Sequence, residues 1–219
     1  MRCETGLEDD EEGGSMSKSS STALNEEAVI ILQARQLCME IEILRDPAGK
    51  ETTWDEFNPR FGKIVSLGER LVSKLRRQET GRVFSFSSSM MDAFFLTGTY
   101  CRHFDVRHRA LKLLKKHNAR EGMCNSRLAY AIASAWAEIE EAPGEAKLRR
   151  AKNGINVIGS SGDEVEEDCE CEARVFICND HRVAVVAGEF HAGDVGTMTY
   201  WTHRDITRGQ AGEFRSLVW

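Results

Sequence analysis

Leu24, Ala28, Ile31, Ala34, Cys38 and Ile41 recur every three or four residues, the repeat that aligns side chains along one face of an α-helix. Asn25 suits the N-cap of this helix, Glu26 and Glu27 suit its positive end, and Asp46-Pro47-Ala48-Gly49 stops it. A second helix starts at Asn58-Pro59, with Asn58 as cap and Pro59 in the first turn, and runs to about Arg77. Its apolar face is Phe61, Ile64, Val65, Leu71, Val72 and Leu75. Residues 90–100, with Phe94, Phe95 and Leu96, predict a buried third helix. A fourth begins at Asp105 and carries Val106, Ala110, Leu111, Leu113 and Leu114. A fifth begins at Asn125 or Ser126, carries Leu128, Ala129, Ile132, Trp136 and Ile139, and ends at Ala142-Pro143-Gly144. The last two should pack together across Gly122, with Trp136 and Leu111 or Leu114 in their shared core. Beyond residue 172 the period changes. Residues 173–178, 182–190 and 197–203 are rich in Val, Ile, Phe, Tyr and Trp, with turn residues at Asn179-Asp180 and Ala192-Gly193-Asp194. The pattern predicts a mainly α fold: a bundle of about five helices with a small C-terminal antiparallel β meander packed on it, since such a meander is marginal alone.

Composition adds organisation. The chain has 219 residues, 41% hydrophobic, 29% charged and only three prolines, enough to bury a core and suited to helices. No apolar run approaches the length of a membrane-spanning helix, and the acidic start does not read as a secretory signal. Residues 1–22 hold Glu4, Glu8, Asp9, Asp10, Glu11 and Glu12 against Arg2 and Lys18, which predicts a disordered acidic tail. Residues 163–172 hold seven acids after Gly159-Ser160-Ser161-Gly162, so 143–172 reads as an acidic flexible linker. The division is then tail 1–22, helical domain 23–142, linker 143–172 and strand region 173–219. The net charge of −6 has the wrong sign for binding nucleic acid by bulk attraction.

Candidate chemistry is sparse. The seven cysteines, an odd number without a secretory signal, read as reduced intracellular thiols. Cys169, Cys171, Cys178 and His181 bring metal-ligand types closest together, and thiolates with an imidazole suit zinc. Their spacing argues against it, because structural zinc sites usually open on a Cys pair with two to four residues between them, whereas one residue separates Cys169 from Cys171, and the surrounding acids oppose thiolate formation. The expectation is no metal, no cofactor and a melting temperature insensitive to a chelator. Cys124, His117 and Asp105 could form a nucleophilic triple, but no strand–turn–helix elbow surrounds any of them. Neither phosphate-binding glycine pattern is present. The basic stretch Arg107, Arg109, Lys112, Lys115 and Lys116 spreads its charges around a helix without base-reading partners, so a solvated face and no specific DNA binding are expected.

The run Cys101-Arg102-His103-Phe104-Asp105-Val106-Arg107-His108-Arg109-Ala110-Leu111-Lys112-Leu113-Leu114 resembles the regulatory region of fungal binuclear zinc-cluster transcription factors, which reads Cys-Arg-x-x-x-x-Arg-x-x-Ala-x-x-Leu-Leu. Asn118-Ala119-Arg120-Glu121-Gly122-Met123-Cys124-Asn125-Ser126 resembles that family's Pro-Arg-Arg-Glu-Gly-Met/Leu-Trp-Asp-Ser, and 131–141 resembles its Ile-Ala-x-x-x-x-x-Ile-Glu-Glu helix. The cysteine steps of 35, 63, 23, 45, 2 and 7 fit no arrangement of the family's six-cysteine cluster, so the DNA-reading module is missing. The resemblance implies an all-α, non-enzymatic regulator of fungal gene expression, for example of a metabolite pathway. It would act in the nucleus, with the cytoplasm as alternative, through a protein partner or self-association. The competing readings are a small intracellular enzyme and a free-standing interaction protein of a biosynthetic pathway.

Overall fold

The computed structural model describes residues 16–46, 49–75, 83–85, 90–116, 119–121, 124–152 and 169–219. Gly122, His117, the tail 1–15 and the stretch 153–168 lie outside them. Six α-helices and two three-stranded sheets are present among the described residues, in agreement with a mainly α chain that closes on a small antiparallel meander.

Helix α1 spans Met16–Leu44 and buries Ile30, Ala34, Leu37 and Ile41. It begins nine residues before Asn25, inside the segment expected to be a disordered tail. After Gly14 the sequence holds no Gly or Pro until Pro47, and serines cost a helix only a few tenths of a kcal/mol each. A 3-10 helix at Glu51–Phe57 follows, and Trp54 and Phe57 enter the core. Trp54 stacks on Tyr100 with ring centroids 4.3 Å apart. Helix α2 is Asn58–Leu75. Asn58 is already helical (φ −49°, ψ −40°), so it is not the N-cap of α2 but closes the 3-10 helix, its N–H donating to Asp55 O; its Oδ1 lies 3.5 Å from Cys101 Sγ.

Helix α3 (Met91–Tyr100), helix α4 (Phe104–Lys116) and helix α5 (Ser126–Lys152) complete the main bundle. Asn125 begins α5 as expected, its Oδ1 accepting the Arg127 N–H at 2.9 Å. Helix α5 does not stop at Ala142. It runs through Pro143 to Lys152, where tertiary ties from Lys147 to Cys169 and from Glu145 to Arg174 hold the helix beyond the proline. The linker therefore does not begin at 143. Strands β1 (Val83–Ser85), β2 (Ala119–Glu121) and β3 (Cys124–Asn125) form a small sheet absent from the sequence reading, with β1 parallel to β2 and β2 antiparallel to β3.

The C-terminal meander is β4 (Val183–His191), β5 (Val195–Thr202) and β6 (Glu213–Val218), all antiparallel. Two expected strands stand. Residues 173–178 do not form the third: there Glu172 and Phe176 close a tight turn, with Arg174 at φ 61°. The third strand is 213–218, where Phe214 and Leu217 flank a short polar break that hid the strand pattern. Between β5 and β6 sits a short helix, α6 (His203–Arg208), with a full capping box of Thr202 and Asp205.

Two cores result. The larger joins α1–α4 with Ala133 and Ala137 of α5. The second packs Ala135, Trp136 and Ile139 of α5 on Val183, Met198, Tyr200 and Leu217 of the meander. Trp136 is buried, but toward the sheet: it meets Tyr100 and Tyr200 edge-on, at 5.7 and 6.5 Å. Small Ala133 and Ala137, rather than Trp136, face Leu111 and Leu114.

Candidate functional site

Where the two cores meet, four charged side chains are taken out of water. Arg107 lies on the apolar stripe of α4, four and seven residues before Leu111 and Leu114, and Glu140 lies four and seven residues after Trp136 and Ala133 on α5. Both are fully buried, and so is Arg182 just before β4. A buried charge is tolerable only when paired and hydrogen-bonded. Glu140 meets that condition at both oxygens. Oε2 accepts from Arg107 Nη2 at 2.6 Å and from Arg182 Nη1; Oε1 accepts from Trp136 Nε1 at 2.8 Å and from the Val183 N–H at 2.9 Å. The arginines have a second role at the end of α3, whose last carbonyls lack helical partners. Arg107 Nε donates to Cys101 O at 2.7 Å and its Nη2 to Thr99 O at 2.9 Å; Arg182 Nη2 reaches Thr99 O and Tyr100 O at 3.4 Å. Cations at a helix C-terminus are favourable. Burial lowers the Arg182 pKa, and Glu140 opposes that shift. Arg102, the fourth charge, is forked onto Asp55, with Nε to Oδ1 at 2.9 Å, and donates to Ile177 O at 2.6 Å.

That last bond leads to the second cluster. The turn at 172–176 reverses the chain: Glu172 N–H donates to Phe176 O at 2.9 Å and Phe176 N–H to Glu172 O at 3.0 Å. Cys171 and Cys178 thereby lie side by side. A 3-10 turn at Asn179–His181 folds the imidazole back onto them. Cys171 Sγ is 3.5 Å from Cys178 Sγ, and His181 Nδ1 is 3.4 and 3.0 Å from the two sulfurs. With Cys169, all four donor atoms fall within 4.8 Å of one another. The segment is fastened to α5 from outside. Lys147 Nζ donates to Cys169 O, Arg174 Nε meets Glu145 at 3.4 Å, and the backbone at 172–173 crosses so close to Gly144 that a Cβ there would lie 2.8 Å from Ala173 N. The hydrogen bond from the Cys171 thiol and the contact with His181 pull the Cys178 thiol well below its ordinary range, while the same bond and burial push Cys171 up.

Cys124 lies on β3, and its proposed partner His117 is outside the described residues. The basic helix is not a solvated face throughout: Arg107 is buried, Arg109 is forked onto Glu69 at 2.9 and 2.7 Å, and Lys115 sits over the Tyr130 ring at 5.2 Å. A shallow cleft is lined by Arg102, Phe104, Glu141, Arg174 and Phe176. Its charged groups already engage one another or the rings: Glu141 holds His108 at 2.8 Å, Arg174 lies over Phe104 and Arg102 over Phe176. Arg102, Glu140 and Arg182 escaped the sequence reading as functional positions, although Glu140 sat in plain view as a charge on an apolar helix face. No family model, curated protein or solved structure matches this chain.

Proposed function

We propose that the chain is a non-enzymatic regulator of fungal gene expression, related to the regulatory region of zinc-cluster transcription factors and acting through a protein partner or a second copy of itself. The observation that carries this reading is where the resembling residues sit. Cys101, Arg102, Arg107, Ala110, Leu113 and Leu114 are buried, and Glu140 of the Ile-Glu-Glu helix pairs with Arg107. Arg107 and Glu140 join α4 to α5 and reach the end of α3, which gives the charged members of the signature a structural task that supports the reading. A second support is the cleft described above, whose polar groups are engaged with each other, an arrangement that suits a scaffold better than a catalytic pocket.

The test is tethering. The full chain is fused to a heterologous DNA-binding domain and placed upstream of a reporter in a fungal nucleus. The reading expects a several-fold change in reporter output that depends on tethering, and loss of that change when Glu140→Ala breaks the lattice. A folded nuclear fusion that leaves the reporter unchanged would sink it.

A further inference from the structure

We propose that Cys169, Cys171, Cys178 and His181 bind one zinc ion, through three thiolates and Nδ1 of the imidazole, as a structural centre that fastens residues 169–182 to the helical bundle. The inference does not rest on the regulatory reading, and the site is unrelated to the six-cysteine cluster that the sequence lacks.

Geometry comes first. Around a tetrahedral zinc with Zn–S near 2.3 Å and Zn–N near 2.0 Å, neighbouring donors stand roughly 3.5–3.8 Å apart. The contacts among Cys171, Cys178 and His181 are 3.5, 3.4 and 3.0 Å, so a central ion asks of these three only outward shifts of a few tenths of an ångström, while Cys169 Sγ, within 4.8 Å of the others, closes inward by up to about 1 Å to complete the shell. The linear spacing that argued against zinc is shortened by the 172–176 turn, which makes Cys171 and Cys178 neighbours. Support of the kind that holds thiolates is also present: the Cys178 N–H donates to Cys171 Sγ at 3.3 Å. A disulfide needs about 2.05 Å between sulfurs and would leave a third cysteine and a histidine aimed at it without purpose.

The second observation is what the segment lacks. Its own buried cluster is Cys171, Ile177 and Cys178, backed by Cys169 and Phe176. Most of that core is ligand. Fourteen residues with so little apolar burial lean on polar ties to α5 and Arg102, and a metal is the common way for a small unit to add order of its own. Four protein ligands fill the coordination shell, which marks a structural rather than a catalytic zinc. Cys171, Cys178 and His181 are buried, whereas Cys169 is half-exposed and offers the way in. Binding releases the thiol protons to solvent. It also requires the imidazole proton to sit on Nε2, where Arg204 Nη1 now lies at 3.1 Å; half-buried Arg204 must swing away from the ring.

The experiment uses the full chain, reduced, stripped of metal and titrated anaerobically with Co2+ and then Zn2+. The expected result is one Co2+ per chain with a sulfur-to-metal charge-transfer band and the visible bands of tetrahedral cobalt, all erased by one equivalent of zinc. Zinc affinity should be tighter than about 50 nM at pH 7, the weak end of structural sites. Cys169→Ser should lose roughly one third of the charge-transfer intensity, one thiolate of three, and His181→Ala should shift the visible bands while keeping it; Cys38→Ala should change neither. An octahedral cobalt spectrum in the wild-type chain would overturn the proposal whatever the variants do. So would a Cys171–Cys178 disulfide that resists reduction in the folded protein, or a cobalt spectrum that Cys169→Ser leaves unchanged.

Discussion

Glu140 is the residue on which most of the interior converges, since both guanidiniums, the Trp136 indole and the Val183 N–H end on it. Removing one partner of a buried pair leaves uncompensated charge and costs about 3–5 kcal/mol. Glu140→Ala strands two arginines and should meet or exceed that range in urea unfolding; a loss below about 1 kcal/mol would mean that water already reaches the lattice. Trp136→Ala should cost about 3–5 kcal/mol through the lost ring contacts. Thiols away from the His181 cluster behave differently. Burial pushes Cys38 and Cys101 up to about 11, against about 8.5 in an unfolded chain. The folded state holds these protons more tightly, so the stability they contribute is complete below about pH 8.5 and is lost as pH rises toward 11. The melting temperature should fall across that window, and less so in the Cys38→Ala, Cys101→Ala double variant. At neutral pH the buried Cys101 thiol should not react with iodoacetamide until the protein unfolds, whereas half-buried Cys38 should label slowly; fast labelling of Cys101 in the native state would contradict its burial.

Elements were legible where periodicity was long and uniform. The stripes of α2, α4 and α5 could be read from spacing, and the strands β4 and β5 from their composition and the turn residues beside them. What could not be read were places where tertiary contacts overrule a local stop or a local preference. Pro143-Gly144 spells the end of a helix, yet α5 continues because its far end is tied to Cys169 and Arg174, partners that no local window contains. Residues 173–178 have strand composition but turn at Arg174 to dock on Arg102 and Gly144. The short strands β1 and β2 pair across more than thirty residues, and so leave no local trace. Gly144 of α5 and Gly62 of α2 therefore predict opposite outcomes. A Cβ on Gly144 would meet the 172–173 backbone at 2.8–3.1 Å, and backbone cannot yield cheaply. Gly144→Ala should destabilise by about 1–3 kcal/mol. Gly62 in α2 has nothing within 4 Å of a new Cβ, so Gly62→Ala should stabilise by up to about 1 kcal/mol. Equal effects of the two substitutions on the urea midpoint would show that the 169–178 segment does not rest on α5.

At the scale of the molecule, the distribution of arginine decides how the chain can meet a polyanion. Affinity for duplex DNA comes largely from Lys and Arg neutralising phosphates, and specificity from side chains aimed at base edges. The chain has 29 basic residues against 35 acidic ones. Composition alone left one basic helix available for contact, but the fold withdraws much of it. Arg102, Arg107 and Arg182 serve the interior, and Arg109 is committed to Glu69. Lys112, Lys115 and Lys116 remain at the surface of α4, three charges with no aligned base-reading side chain between them. The role of Arg107 and Glu140 could not be read from the sequence, because a charged residue on an apolar stripe looks identical on paper whether it reaches for a ligand or for another buried charge. The chain alone should therefore show only weak, salt-sensitive attraction to DNA. An anisotropy titration of the zinc-loaded and zinc-free protein at about 0.15 M salt, where isolated phosphate contacts are largely screened, should give no sequence preference in either form. Selective binding below roughly 0.1 μM, the range of specific complexes, would refute this and would place the contact on Lys112, Lys115 and Lys116. If such binding appeared only with zinc, the 169–182 segment would be the element that completes the surface.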